Sequence, residues 1–140
     1  MQKLPKTSHP FVIRTDFGNE QAWKKVCKLL RAPADCFGVT IEAHLEFLED
    51  KSLAGTTTEQ LTKLAQGDYE YSFLFVVDAA ALAHKEFTVL VIDIESGKSF
   101  RALPSQIPVI ENNLSVASMG FEDFAQAVDP EGVFQGFPGL

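Results

Sequence analysis

The sequence predicts one layered α/β domain: a largely parallel or mixed sheet of about five strands, flanking helices, and two helices near the C-terminus. Three observations predict it. Apolar β-branched runs alternate with segments of helical periodicity. The run Phe73 to Val77 is apolar throughout, as a strand covered on both faces must be. The last third carries a hairpin signal followed by two amphipathic stretches.

The elements follow in order. Residues Phe11 to Thr15, after Pro10, are rich in β-branched side chains and run into Asp16, Phe17, Gly18 and Asn19, a turn ending in a helix cap. From Asn19 the residues Trp23, Val26, Cys27 and Leu30 recur at helical spacing, and Pro33 stops the helix. Ala43 to Leu48 alternates, with Ala43, Leu45 and Phe47 on the covered side and His44 turned away from the main core. Thr57 stands three residues before Gln60 at capping-box spacing, Leu61, Leu64 and Ala65 form the stripe behind it, and Gly67 ends that helix.

Ser72 to Val77 reads as the central strand. Asp78 caps a short helix over Ala79 to Ala83, and Phe87 to Ile94 returns as another strand. The connection between these strands is slightly short for a parallel crossover, which needs roughly ten to twelve residues, so a mixed sheet suits it better. Ser96, Gly97 and Lys98 supply a tight turn from which Phe100 to Leu103 pairs back as an antiparallel edge. Ile110, Leu114 and Ala117 fit one helix, and Phe121, Phe124, Ala125 and Val128 another. Residues 1–10 are expected to be flexible and 11–137 to form the domain, with Val133 to Pro138 a loose tail whose two aromatics dock within the chain or on a partner.

Composition narrows the function classes. Nineteen acidic against twelve basic residues give a net charge of −7, which opposes a phosphate backbone, and the one basic cluster, Lys24, Lys25, Lys28 and Arg31, reads as the solvated side of a helix. No nucleic-acid partner is expected. No stretch approaches the roughly 20 apolar residues of a membrane helix. The first ten residues lack the apolar run of a secretory signal, so the expected location is cytoplasmic. The two cysteines, Cys27 and Cys36, form no metal-ligand pattern, and Cys27 falls on the apolar side of its helix. No cofactor or metal is expected from motifs: nucleophile elbow, P-loop, dinucleotide fingerprint and HExxH are all missing.

The residues that suggest chemistry are Arg14, Asp16 and Asp78, at or near strand carboxyl ends, where open α/β sheets bind ligands. With Glu49 and Asp50 after the second strand, Asp16 and Asp78 complete a set of strand-end carboxylates that, if convergent, would hold Mg²⁺ against a phosphate. Asp16 and Asp78 also stand just before helices, where Asp is a favoured cap, and Arg14 either binds an anion or faces solvent from its strand. Asp93, inside a strand, is expected to reach the sheet edge or pair with Arg14 or Arg101. Glu111, Asn112 and Asn113 either line a pocket or tie an irregular loop to a helix start.

Val12 to Phe17, Phe73 to Asp78, Glu111 to Ser115 and Met119 to Phe124 together resemble an uncharacterised family of small, mainly bacterial proteins. The resemblance spans about Phe11 to Phe137, implies one domain, and carries over no activity and no functional residue; residues 32–40 match its pattern least well. Two functions are therefore expected: an acidic protein-interaction domain, or a Mg²⁺-dependent phosphate-handling enzyme or phosphoacceptor using Asp16 and Asp78.

Overall fold

The computed structural model describes residues 3–137. Eight strands and five helices follow one another as β1 (Phe11–Arg14), α1 (Glu20–Arg31), β2 (Ala34–Cys36), β3 (Val39–Ile41), β4 (Glu46–Leu48), α2 (Thr58–Ala65), β5 (Phe73–Val77), α3 (Ala79–Ala83), β6 (Val89–Asp93), β7 (Ser99–Ala102), α4 (Ile107–Ser115), α5 (Phe121–Ala125) and β8 (Val133–Phe134). Six strands form one mixed sheet in the order β4-β1-β5-β6-β7-β8, and β2 and β3 form a separate two-stranded ribbon. No helix among the described residues is long and apolar enough to cross a membrane.

Side-chain alternation divides the sheet between two cores. Val12, Phe73, Phe75, Val77, Val91, Phe100 and Phe134 face a layer made by α1, α3, α4 and α5. Phe11, Ile13, Leu74, Val76, Leu90 and Ile92 face α2, joined there by Leu53 and Leu4. β5 supplies residues to both cores and is buried along its whole length, which is why it has no polar alternation to read. Each large apolar side chain removed from water here contributes about 2 kcal/mol before chain entropy is counted.

The caps sit where the sequence places them. Asn19 accepts the Ala22 N–H at 3.0 Å. Thr57 and Gln60 form a reciprocal capping box, the Gln60 N–H donating to Thr57 Oγ1 at 3.2 Å and the Thr57 N–H to Gln60 Oε1 at 2.9 Å. Asp78 accepts the Ala81 N–H at 2.9 Å. Ala43, Leu45 and Phe47 pack on the four-helix core while His44 is exposed.

Parallel pairing is confined to β1 with β4 and β5, and to β7 with β8; β5, β6 and β7 are antiparallel. The short span between β5 and β6, residues 78–88, has this consequence, since a parallel crossover needs about a dozen residues or more to carry a strand back to the same end of the sheet.

Three expectations are corrected. β7 pairs antiparallel with β6 but is not the edge, because β8 joins its outer side. The tail is drawn inward there: Phe134 is fully buried, 5.2 Å from Phe124 and 5.0 Å from Phe137 between ring centroids. Pro138, named with that tail, lies outside the described residues. The stretch from Ala32 to Thr40, which reads as a loop in the sequence, instead contains most of a ribbon that pairs residues 34–36 with 39–41. Of the two alternatives for Asp93 the arginine pair fails: Asp93 ends β6 at the edge of the sheet, where its carboxylate accepts the Ser96 N–H and Oγ–H at 3.1 and 2.6 Å and stabilises the β6–β7 turn.

The N-terminal segment carries Leu4 into the α2 core, where it is 5% exposed. Tyr69, whose hydroxyl accepts the Phe11 N–H and donates to Phe73 O, joins β1 to β5, and burial pushes its phenol far above the usual range.

Candidate functional site

The chain leaves β1 through α1 on one face of the sheet, adds β4 on one side of β1, returns through α2 on the other face and adds β5 on the opposite side. The carboxyl ends of β1 and β5 are thus a topological switch point, where the diverging loops leave a crevice. It measures about 450 Å³ and is lined by Thr15, Asp16 and Phe17 after β1, by residues 54–57 before α2, and by residues 78–80. The Gly55 N–H donates to Thr15 O at 2.8 Å and the Thr15 N–H to Val77 O at 3.1 Å, so the three walls are tied through backbone.

Asp16 and Asp78 are therefore brought to one crevice, as their strand-end positions imply. Their carboxylates are occupied differently. Asp16 Oδ1 accepts the Gly18 N–H at 2.8 Å, closing the turn into α1. Asp78 is engaged through both oxygens: Oδ1 accepts the Ala81 N–H at 2.9 Å and Arg101 Nη1–H at 3.1 Å, and Oδ2 accepts Arg101 Nη2–H at 2.7 Å. Burial raises the Asp78 carboxyl, but the Arg101 guanidinium and the helix-cap N–H outweigh it and hold the group below its usual value. Among the described residues, no three His, Cys, Asp or Glu side chains converge as a metal-holding group.

Arg14 is not a surface residue. Its side chain is 2% exposed. Nε donates to Asp16 O at 2.9 Å, and Nη1 donates to Glu20 and Glu49 at 3.0 and 3.1 Å. Cζ lies 4.5 Å from the Phe17 ring centroid and 5.0 Å from that of Trp23. Nη2 is buried with no oxygen or nitrogen partner among the described residues, so the aromatic faces and the two glutamates supply the compensation this buried charge needs.

Glu111, Asn112 and Asn113 lie far from the crevice in sequence and perform the tying role. Glu111 is 2% exposed. Its Oε1 accepts the His44 N–H at 2.7 Å, and Oε2 accepts Ser115 Oγ–H at 2.5 Å. Asn112 Nδ2 donates to Glu42 O at 2.9 Å. Asn113 Nδ2 donates to Val109 O at 2.8 Å, while Oδ1 accepts Ser118 Oγ–H at 2.7 Å. The first two residues clamp the strap between the ribbon and β4 onto α4.

That clamp holds up the region residue-by-residue chemistry overlooked. The ribbon turns through Phe37 and Gly38 at φ +53° and +82°, both in the left-handed region, as a two-residue hairpin of the type I′ kind demands. Phe37 is 73% exposed and Val39 61%. Cys36, Phe37, Gln106, Val109, Gln135 and Phe137 line a cavity of about 420 Å³ between the ribbon, the start of α4 and the tail. Gly38 before the β-branched run Val39 to Ile41 was the available signal, masked because Phe37 stands where Asn or Gly is usual.

Among curated proteins, none matches the sequence. The family model for a domain of unknown function, DUF6924, matches residues 9–137, spanning both the crevice and the ribbon, and the chain belongs to that family.

Proposed function

We propose that the chain is a protein-interaction domain, working in the cytoplasm of a bacterial cell, that binds a basic partner protein through the β2–β3 ribbon. The observation that carries this reading is Phe37, a large aromatic presented to solvent from a left-handed backbone position. A non-glycine residue there costs on the order of 1 kcal/mol, and an exposed ring returns none of it through burial. Folding stability therefore does not account for this side chain, whereas a partner that covers it does. The adjoining cavity offers a socket for an apolar side chain of that partner. The charged residues along the ribbon and its exit, Asp35 and Glu42, are acidic and exposed, like the chain's overall charge of −7, and complement a basic surface.

The alternative, Mg²⁺-dependent phosphate handling by Asp16 and Asp78, draws on their shared crevice. It is disfavoured by Asp78, whose oxygens already satisfy Arg101 and the α3 cap.

Affinity capture from the source cells with the wild type and Phe37→Asn tests the interaction reading. The wild type is expected to retain a basic protein that rising salt releases, and the variant to lose it at least about tenfold, as removal of an anchoring aromatic does. Asn suits the left-handed position, so the variant should unfold at the same or slightly higher urea concentration. Equal retention by the variant, or no protein retained by the wild type, would refute the reading.

A further inference from the structure

The crevice holds an aromatic ring that is fixed from behind, and partner binding through the ribbon makes no use of it. Phe17 lines the crevice while its ring lies over the Arg14 guanidinium. Arg14 cannot swing away, since Asp16 O, Glu20 and Glu49 hold Nε and Nη1 and the whole side chain is buried. A buried guanidinium with Nη2 unpaired is an expensive way to complete a core. A ring seated on a fixed cation does not collapse inward, so it keeps a preorganised face and edge for stacking. Beside it, Asp16 commits Oδ1 to the Gly18 N–H, which leaves Oδ2 available as an acceptor at the same rim.

Charge selects among flat ligands. Asp16, Glu20, Glu49 and Asp78 cluster around this end of the sheet against Arg14 and Arg101, so the balance is acidic and opposes a phosphate group. The crevice volume of about 450 Å³ lies within the range of small-molecule sites. Its position at the switch point is the usual ligand position of such sheets. We propose that the crevice binds a flat, uncharged or cationic heterocycle, a nucleobase or its nucleoside, stacked on Phe17 and donating hydrogen bonds to Asp16.

Isothermal titration of the full chain with adenosine, guanosine, cytidine and uridine, each beside its 5′-monophosphate, tests this. At least one nucleoside is expected to bind at millimolar concentration or below, and more tightly than its monophosphate. Phe17→Leu should weaken that binding about tenfold, the scale of one base–aromatic stack. Asp16→Asn, which leaves the Phe17–Arg14 contact in place, should weaken it severalfold and narrow the discrimination against the monophosphate. No heat from any nucleoside with folded wild type, or binding unchanged in both variants, would overturn the proposal. Partner capture through Phe37 does not enter these readouts, so either idea can fail alone.

Discussion

The carboxyl edge of the main sheet and the β2–β3 ribbon treat side chains in opposite ways. At the sheet edge, charged groups are matched: buried Arg14 with the exposed Glu20 and Glu49, and half-buried Asp78 with half-buried Arg101. On the ribbon, apolar groups are exposed and unmatched, with Phe37 and Val39 turned to water. Residue types that suggest chemistry thus perform largely structural work, while residue types that suggest a core are presented outward. A polar side chain in a sheet-end position is informative only once its partners are known, and an exposed aromatic in a strained turn is informative by itself.

Three measurements would sharpen or break this contrast, beginning with the largest effect. Arg14→Ala should lower the free energy of unfolding by about 3 kcal/mol, because it empties space beneath Phe17 and Trp23 and leaves two glutamates without their cation. Arg14→Met, which fills much of that space without charge, should lose less. Urea titration measures both, and a loss below about 1 kcal/mol for the alanine variant would mean that the sheet edge is not organised by this residue.

Asp78→Asn should cost about 1.5 kcal/mol at neutral pH, since Asn still caps α3 but no longer neutralises Arg101. The folded-state carboxyl sits below its ordinary value. Its stabilisation is therefore complete above about pH 4 and is lost as pH falls through the lower folded-state value, so the gap between wild type and variant should close in acid. Thermal melting across that range would show it. A magnesium-dependent rise in melting temperature, present in the wild type and absent in Asp78→Asn, would instead favour the phosphate-handling alternative.

The smallest effect compares the two thiols. Cys27 is buried on the core face of α1, and burial pushes its thiol up to about 11 despite the nearby Arg31. Cys36 is half-exposed on the ribbon. Alkylation of the native protein at about pH 8 should modify Cys36 and leave Cys27 untouched until the chain unfolds. Equal labelling, read by peptide mass, would show that the α1 core opens as readily as the ribbon.

Legibility in the sequence followed the range of the interactions involved. The α1 stripe of Trp23, Val26, Cys27 and Leu30, the Thr57–Gln60 box and the Asp78 cap depend on neighbours within a turn or two, and all three are where local rules place them. β8 could not be read because two residues have no period; it exists because Val133 and Phe134 meet Arg101 and Ala102 across the sheet. The tying role of Glu111 was open in the sequence because its partner, the His44 N–H, lies 67 positions away.

The sequence by itself determined the layered α/β class, a β5 covered on both faces and most helix boundaries, since propensity, caps and periodicity act locally. Only the tertiary structure decided which charges would be neutralised and which apolar groups would remain outside. Arg14 and Arg101 find carboxylates on other elements, and Phe37 is left exposed by a ribbon that stands apart from the main sheet. Pairing and burial of this kind depend on contacts between distant segments, which no local pattern specifies.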